Sequence, residues 1–378
     1  VTFEDLINIG VQRQNSGAFG EAESLYRQAL ALRPDSPEAW FDLGTVLDRV
    51  GKWDEAIAAL RQAIRLQPDF PRAHWNLGAA LLRQGDFQSG WLEYEWRWKV
   101  PELQINRIKC RQPQWHGEQL DGKKILLYAE QGFGDTIQFS QLIPEVVRRG
   151  GRLMLGCRRD LTALLGRLPG VELCLPQPGP VPGDFSVHCT LPSLPLALGT
   201  NLATIPARAS YLSADPAKIA KWKDRLKNDG RRRIALVWAG RPTHADDMNR
   251  SIALTRLAPL ATAPKVQWFS LQKGPSAARV LEFPAPIIDW TAELNDYDDT
   301  AALAANMDLI ISVDTSVAHL AGALGKPTWV LIPFVPDWRW LLNRSDSPWY
   351  PMMRLFRQPN IGDWESVAAQ VAGALKGL

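Results

Sequence analysis

Gly17, Gly51 and Gly85 stand 34 residues apart, and so do Gly10, Gly44 and Gly78, Leu43 and Leu77, and Pro34 and Pro68. A fixed period of this length constrains the fold more than any other feature of the chain. Each period must be one supersecondary unit, which buries its apolar face only by stacking on the next. Trp40-x-x-Leu43-Gly44 recurs as His74-x-x-Leu77-Gly78, and Asp54-Glu55-Ala56 answers Gly20-Glu21-Ala22. Each unit therefore reads as a pair of amphipathic helices. Glycine leaves room where the helices cross, and proline closes the unit after its second helix.

Period, glycine, alanine and proline positions together resemble the tetratricopeptide repeat over about three units, residues 1–110. The resemblance implies a helical solenoid whose groove holds an extended peptide or a protein partner, with a purely structural spacer as the other reading. Trp91, Tyr94 and Trp98 follow at helical spacing and are expected as a packed seam to the next domain. Residues 111–122, with Pro113, Gly117 and Gly122, read as an irregular connector.

Beyond residue 122 the pattern changes to short apolar runs alternating with helical ones. Lys124–Ala129, Arg152–Cys157 and Val171–Leu175 read as strands of a first α/β half, residues 123–215. A polar helix over 216–227 then leads to a second half, residues 216–378, whose strand runs are Arg233–Gly240, Val266–Gly274, Ile287–Asp289, Leu309–Val313 and Thr328–Ile332. Strand–helix alternation implies parallel sheets, with ligands outside the carboxyl ends of the strands. The expected fold is a helical repeat solenoid followed by two Rossmann-like α/β halves facing a cleft.

Two stretches carry chemistry. Leu309–Val313 is followed by Asp314-Thr315-Ser316, then by the small-residue helical pattern of Val317–Leu324. A helix starting there directs unpaired N–H groups and the positive end of its dipole at any anion, and His319 lies one turn beyond Thr315 on the same face. The second stretch, Gly132-Phe133-Gly134-Asp135, closes the first strand of its half. It reads equally as a tight turn with Asp135 capping a helix, or as an open approach with Asp135 facing the cleft as a general base. His188 reads as a packed side chain. Arg241–Ser251 is the longest strongly hydrophilic connection of the second half and leaves a strand end, where binding loops belong.

The composition removes several alternatives. A net charge of +3, about −1 over residues 1–115 and +4 over the rest, is too balanced for a nucleic-acid binder relying on counterion release. The four cysteines lack C-x-x-C spacing and read as free thiols. No Cys/His cluster suggests zinc. Asp246-Asp247 and Asp298-Asp299 imitate a metal-binding acid pair, but the second reads as a helix cap, so no metal and no cofactor is expected. The chain opens on Val1, and neither a leader pattern nor an apolar run of membrane-spanning length stands in it, which reads as cytoplasmic.

Taken together, Gly132–Asp135 and Asp314–Pro327 resemble glycosyltransferase family 9, the bacterial ADP-heptosyltransferases of two-domain GT-B fold, over roughly residues 121–378. Joined to the repeats, the layout is similar to bacterial protein glycosyltransferases, including those that modify flagellin. The resemblance implies a metal-independent, inverting transferase with Asp135 as catalytic base. It implies that Asp314, Thr315, Ser316 and His319 hold a nucleotide sugar, with Arg250 against its phosphates and Gly132 and Gly134 lining the approach. Gln272 and Lys273 fall where that family contacts the ribose, but the acid it commonly has there is missing after Gly274. The expected acceptor is a protein recruited by the repeats. A cell-surface saccharide acceptor and a non-catalytic binding protein on a degenerate transferase domain are the alternatives.

Overall fold

The computed structural model describes every residue except 227, 228 and 245, and at 104–106 the backbone alone. Lys227, the expected end of a helix, and Ala245 of the polar loop therefore lie outside the described residues. The chain forms two compact units. One comprises Val1–Arg107, Gly199–Ala203 and Phe334–Asn343, and the other Ile108–Leu198, Thr204–Pro333 and Arg344–Leu378.

Six helices build the first unit: α1 (Phe3–Asn15), α2 (Phe19–Leu32), α3 (Pro37–Arg49), α4 (Trp53–Leu66), α5 (Pro71–Gln84) and α6 (Phe87–Tyr94). Thr2 opens α1 with a capping box, its hydroxyl taking the Asp5 amide while the Asp5 carboxylate takes the Thr2 amide. The periodic glycines have two separate tasks. Gly17, Gly51 and Gly85 adopt φ of +81°, +80° and +93° at helix ends, where a side chain would be strained. At Gly10, Gly44 and Gly78 a β-carbon would come within 2.6–2.9 Å of Tyr26, Leu60 and the Tyr94 amide, so glycine sets the distance between crossing helices.

The expected aromatic seam has a more particular structure. Trp91 and Tyr94 are buried, and both pack edge-on against Trp338, at 5.2 and 6.2 Å between ring centroids. The Trp91 indole donates to the Thr200 carbonyl at 3.0 Å, and Phe334 stacks on Trp53. Two short segments from far along the chain thus complete the repeat unit. After Tyr94 the helix tightens to 3₁₀ geometry over Glu95–Lys99, which takes Trp98 off the stripe and under the guanidiniums of Arg97 and Arg107.

The expected α/β halves form the second unit together. The first half has four parallel strands, β1 (Lys124–Tyr128), β2 (Arg152–Arg158), β3 (Val171–Gln177) and β4 (Val187–Thr190), in the order β3-β2-β1-β4. Its helices are α7 (Phe133–Ser140), α8 (Ile143–Arg148), α9 (Arg159–Leu165) and α10 (Leu194–Leu198). His188 sits in β4, packed near Tyr128.

The second half has six parallel strands in the order β10-β9-β8-β5-β6-β7. They are β5 (Arg232–Val237), β6 (Val266–Ser270), β7 (Ile287–Asp289), β8 (Leu309–Val313), β9 (Thr328–Ile332) and β10 (Met353–Arg357). Around them lie α11 (Pro216–Arg225), α12 (Asp247–Arg250), α13 (Tyr297–Ala305), α14 (Ser316–Ala323) and α15 (Trp364–Leu375). In each sheet the chain starts centrally, winds outward, and returns on the other side of its first strand. The switch points, where crevices open at carboxyl ends, fall between β1 and β4 and between β5 and β8.

Candidate active site

Both switch points are occupied by the stretches that the sequence singles out. In the first half, Gly132 is the N-cap of α7 and Asp135 its third helical residue. The Asp135 carboxylate takes the Gly132 amide at 2.9 Å, so the capping role is realised. Asp135 is half-buried. Gly134 has ordinary helical geometry; what it supplies is space. A β-carbon there would fall 2.8 Å from Cδ2 and 3.4 Å from Nε2 of His319. The two stretches therefore meet face to face, α7 against α14.

In the second half, all of β8 is buried and ends at Asp314, itself nearly buried. Thr315 turns the chain in extended geometry before α14 begins. Its hydroxyl points inward: Ser312 Oγ donates to the Val313 carbonyl at 2.6 Å, so the 3.0 Å Ser312–Thr315 bond is donated by Thr315. The main-chain amides at the start of α14 lie beyond the carboxyl end of β8, where an anion could meet them. Ser316 shares a 2.6 Å hydrogen bond with Tyr297, whose ring packs 4.8 Å from that of Phe133. Burial pushes the Tyr297 phenol up to about 12, so it acts as a neutral hydroxyl. Arg158 also lies over the Phe133 ring, 5.1 Å from its centroid. His319 is buried, its Nδ1 2.8 Å from the Tyr350 hydroxyl and its Nε2 3.9 Å from the Asp314 carboxylate.

Arg250, at the end of α12, joins this group. Its Nη1 donates to the Asp314 carbonyl at 3.1 Å and its Nε lies 3.5 Å from the Asp247 carboxylate. Gly240, at the end of β5, lets the guanidinium lie on the main chain, since a β-carbon there would sit 2.7 Å from Nη2. Ser251 ties the same turn together, taking the Gly240 amide at 2.9 Å and donating to Asp247 at 3.0 Å. The loop also brings in His244, a residue that sequence reasoning did not single out. Its Nδ1 accepts the Asp246 amide at 3.1 Å. Burial first, then Arg250, lower its pKa, while Asp246, Asp135 and Asp247 oppose them. His244 thus feels charges from both halves. Like Tyr297, Tyr350 and Arg158, it is linked to the site in part through a group far away in sequence, here Asp135.

Two of the expected donor-contact residues have their side chains engaged with the main chain. Gln272 is buried and spends its amide on the main chain, accepting from the Trp238 and Ala239 amides at 3.0 and 2.9 Å and donating to the Ala239 and Lys273 carbonyls at 3.0 and 2.8 Å. Lys273 turns to the carbonyls of Thr291 and Leu294. From the end of β6, Gln272 braces the loop after β5 and Lys273 the loop after β7. The acid pairs are likewise engaged in the fold. Asp247 meets Ser251 and Arg250, while Asp298 meets Arg167 and Lys218. Among the described residues no group of three His, Cys, Asp or Glu side chains is disposed to hold a metal ion, and no helix is long and apolar enough to cross a membrane.

Comparison with known proteins agrees with this geometry. Residues 15–60 and 49–85 match models of the tetratricopeptide repeat, and residues 295–331, which contain Asp314–His319, match glycosyltransferase family 9 (heptosyltransferase). Protein FlbA of Caulobacter vibrioides is 28% identical over 319 residues, 77% of this chain and 53% of that protein. The chain thus spans about half the length of this curated relative. The crystal structure of a glycosyl transferase family 9 protein from Veillonella parvula superimposes with a TM-score of 0.51 at 10% identity, covering 69% of this chain and 99% of that one. The chain thus carries, in tandem, segments that match the tetratricopeptide repeat and a segment that matches glycosyltransferase family 9.

Proposed function

We propose that this tandem transfers a sugar from a nucleoside-diphosphate donor, held between Arg250 and the start of α14, to an acceptor hydroxyl activated by Asp135. The observation that supports it most is the contact of Gly134 with His319, which sets the Asp135 turn directly against the Asp314–His319 segment. Asp135 takes the proton of the acceptor hydroxyl as its oxygen bonds to the anomeric carbon. The bond from that carbon to the phosphate oxygen breaks, and the nucleoside diphosphate leaves. A single displacement of this kind inverts the anomeric centre. Negative charge grows on the leaving phosphate, where Arg250 and the α14 amides stabilise it electrostatically, with no metal in the scheme.

A positioned base or charge donor typically contributes 10²-fold or more in rate. Asp135→Asn should therefore lose transfer while calorimetry still shows nucleotide-sugar binding, and turnover near wild type would refute the assignment. A calorimetric screen of nucleotide sugars names the donor.

The repeats support a protein acceptor, because stacked helix pairs form an extended binding surface. Asn76 donates to Thr45 at 3.3 Å across neighbouring units, which marks the face formed by α3 and α5. Asn76→Arg should weaken transfer to a protein acceptor and leave donor hydrolysis unchanged. Removal of residues 1–110 would be a poorer test, since Phe334, Trp338 and Thr200 would lose the helices they pack on.

A further inference from the structure

A pocket of about 390 Å³ lies beside the connector between the two α/β halves, and none of the candidate site residues lines it. Its walls come from the start of α8, the end of α9 and the stretch just after it, and residues 208–213. Pro144, Leu164, Leu168 and Pro169 make an apolar side. The polar side holds two arginines, Arg167 and Arg208, and two serines, Ser210 and Ser213; no acid among the described residues lines it.

Both guanidiniums keep donors in reserve. Arg208 reaches Glu145 with Nη2 at 3.4 Å, its one hydrogen bond among the described residues, and its Nε is buried without an acceptor. Arg167 spends Nη2 on the Asp298 carboxylate and the Ser213 carbonyl, and no described residue accepts from its Nε or Nη1. A guanidinium carries five N–H donors, so most of this capacity is unspent. The two acids that meet these arginines are each divided between two cations. Asp298 also holds Lys218, at 3.1 Å, and Glu145 also pairs with Arg148.

Such a pocket attracts an anion, and its donors narrow the kind. One guanidinium fork satisfies a carboxylate, whereas a phosphate monoester brings three acceptor oxygens and nearly two charges, which suits two arginines with serine hydroxyls beside them. The volume falls within the roughly 300–1,000 Å³ of small-molecule sites, so the apolar side has room for what the phosphate is attached to. We propose that this pocket is a phosphoryl-binding site, with Arg167 and Arg208 on the phosphate oxygens. The phosphate arrives on a small organic body or as the free inorganic ion, and the apolar wall favours the first.

The place of the pocket gives its occupant a structural task. The amides of Tyr211 and Leu212, two further lining residues, both donate to the Ala323 carbonyl, at 2.9 and 3.0 Å, at the opposite end of α14 from Thr315. The Tyr211 hydroxyl donates to the Ile137 carbonyl of α7 at 2.9 Å. The connector that lines the pocket is therefore bonded to both helices that carry Asp135 and His319. Arg208 follows Ala207, whose φ of +39° is strained for a residue with a β-carbon. A phosphate shared by Arg208 and Arg167 ties this turn to the end of α9 and braces the connector.

The test is calorimetric titration of the full chain with two probes, inorganic phosphate and glucose 6-phosphate. At least one is expected to bind in the millimolar range or tighter. Tighter binding of glucose 6-phosphate identifies an organic monoester as the occupant, and equal or tighter binding of inorganic phosphate identifies the free ion. Arg208→Gln should lower the affinity about 10- to 100-fold, as expected for a lost charge-assisted contact, in a protein that melts like wild type. Should that variant melt lower, Arg208→Lys keeps the charge beside Glu145 but not the fork, and should still lose affinity several-fold. Arg250→Lys, in the candidate donor site, should leave the affinity unchanged. The proposal is overturned if neither probe binds, if the Arg208 variants bind like wild type, or if Arg250→Lys abolishes binding instead.

Discussion

Replacing Gly134 by alanine tests the meeting of the two halves with a single methyl group. The new β-carbon would lie 2.8 Å from His319 Cδ2, about 1 Å inside ordinary carbon–carbon contact. The imidazole is buried, and its Nδ1 is held by Tyr350, whose ring is itself confined by Gly322. Relief therefore requires His319 or the start of α7 to shift by roughly 0.5–1 Å. Overpacking of this kind costs about 1–3 kcal/mol. Alanine recovers roughly 0.5–1 kcal/mol of helix propensity at a helical position. The net loss of stability is thus expected to be about 0–2 kcal/mol, read from urea unfolding. Transfer should suffer far more, because a displacement near 1 Å in a site of this kind can cost about 10²-fold. The double-mutant cycle with His319→Ala decides the cause. With the ring gone the clash has no partner, and Gly134→Ala should become neutral or stabilising, a coupling of about 1–3 kcal/mol. Additive effects would show that Gly134 and His319 do not constrain each other, and the proposed closure of the site around them would be wrong.

Other substitutions probe separate parts of the molecule. Arg250→Lys keeps the charge but cannot reach both the Asp314 carbonyl and Asp247, so nucleotide-sugar affinity should fall about tenfold by calorimetry with little change in melting temperature. Gln272→Leu leaves the amides of Trp238 and Ala239 without their acceptor and should destabilise the domain by about 2–5 kcal/mol in urea unfolding. Asp42, on α3, is raised to about 6, chiefly by burial and also by Glu38. A raised carboxyl binds its proton more tightly in the folded state, so stability falls as pH rises from about 4 to 6 and the penalty is complete above that. Asp42→Asn should therefore stabilise the repeat unit by about 1–3 kcal/mol at pH 7.5, and the gain should vanish near pH 3.5.

What could be read from the chain before the structure follows from how far each signal reaches. The repeat and the parallel strands leave periodic marks within a few residues, and α1–α6, β1, β5, β8 and β9 fall where those marks lie. β4 and β10 escaped notice. β4 is a run of only Val187–Thr190 inside a Pro- and Leu-rich stretch, and β10 alternates Met, Arg, Leu, Phe and Arg at the edge of its sheet. Asp135, Asp314 and His319 stood out because a strand end followed by a helix start is visible locally. The bracing contacts of Gln272 were hidden for the opposite reason: its partners, the amides of Trp238 and Ala239, are more than 30 residues earlier, and nothing at position 272 announces them. Tyr350 carries no mark of its own either; its contact with His319 depends on Gly322, which its ring packs against.

The make-up of the repeat unit also bears on the order in which the protein matures on the ribosome. Its helices are synthesised before the α/β strands, yet Trp91 and Tyr94 remain without Trp338 until Phe334–Asn343 has emerged. At about 5–20 residues per second, the interval between residue 107 and residue 343 is roughly 10–50 s. During that time the last helix pair presents an aromatic face to the cell, a natural target for holding chaperones. The repeat unit is therefore finished only after nearly all of the α/β strands have been made.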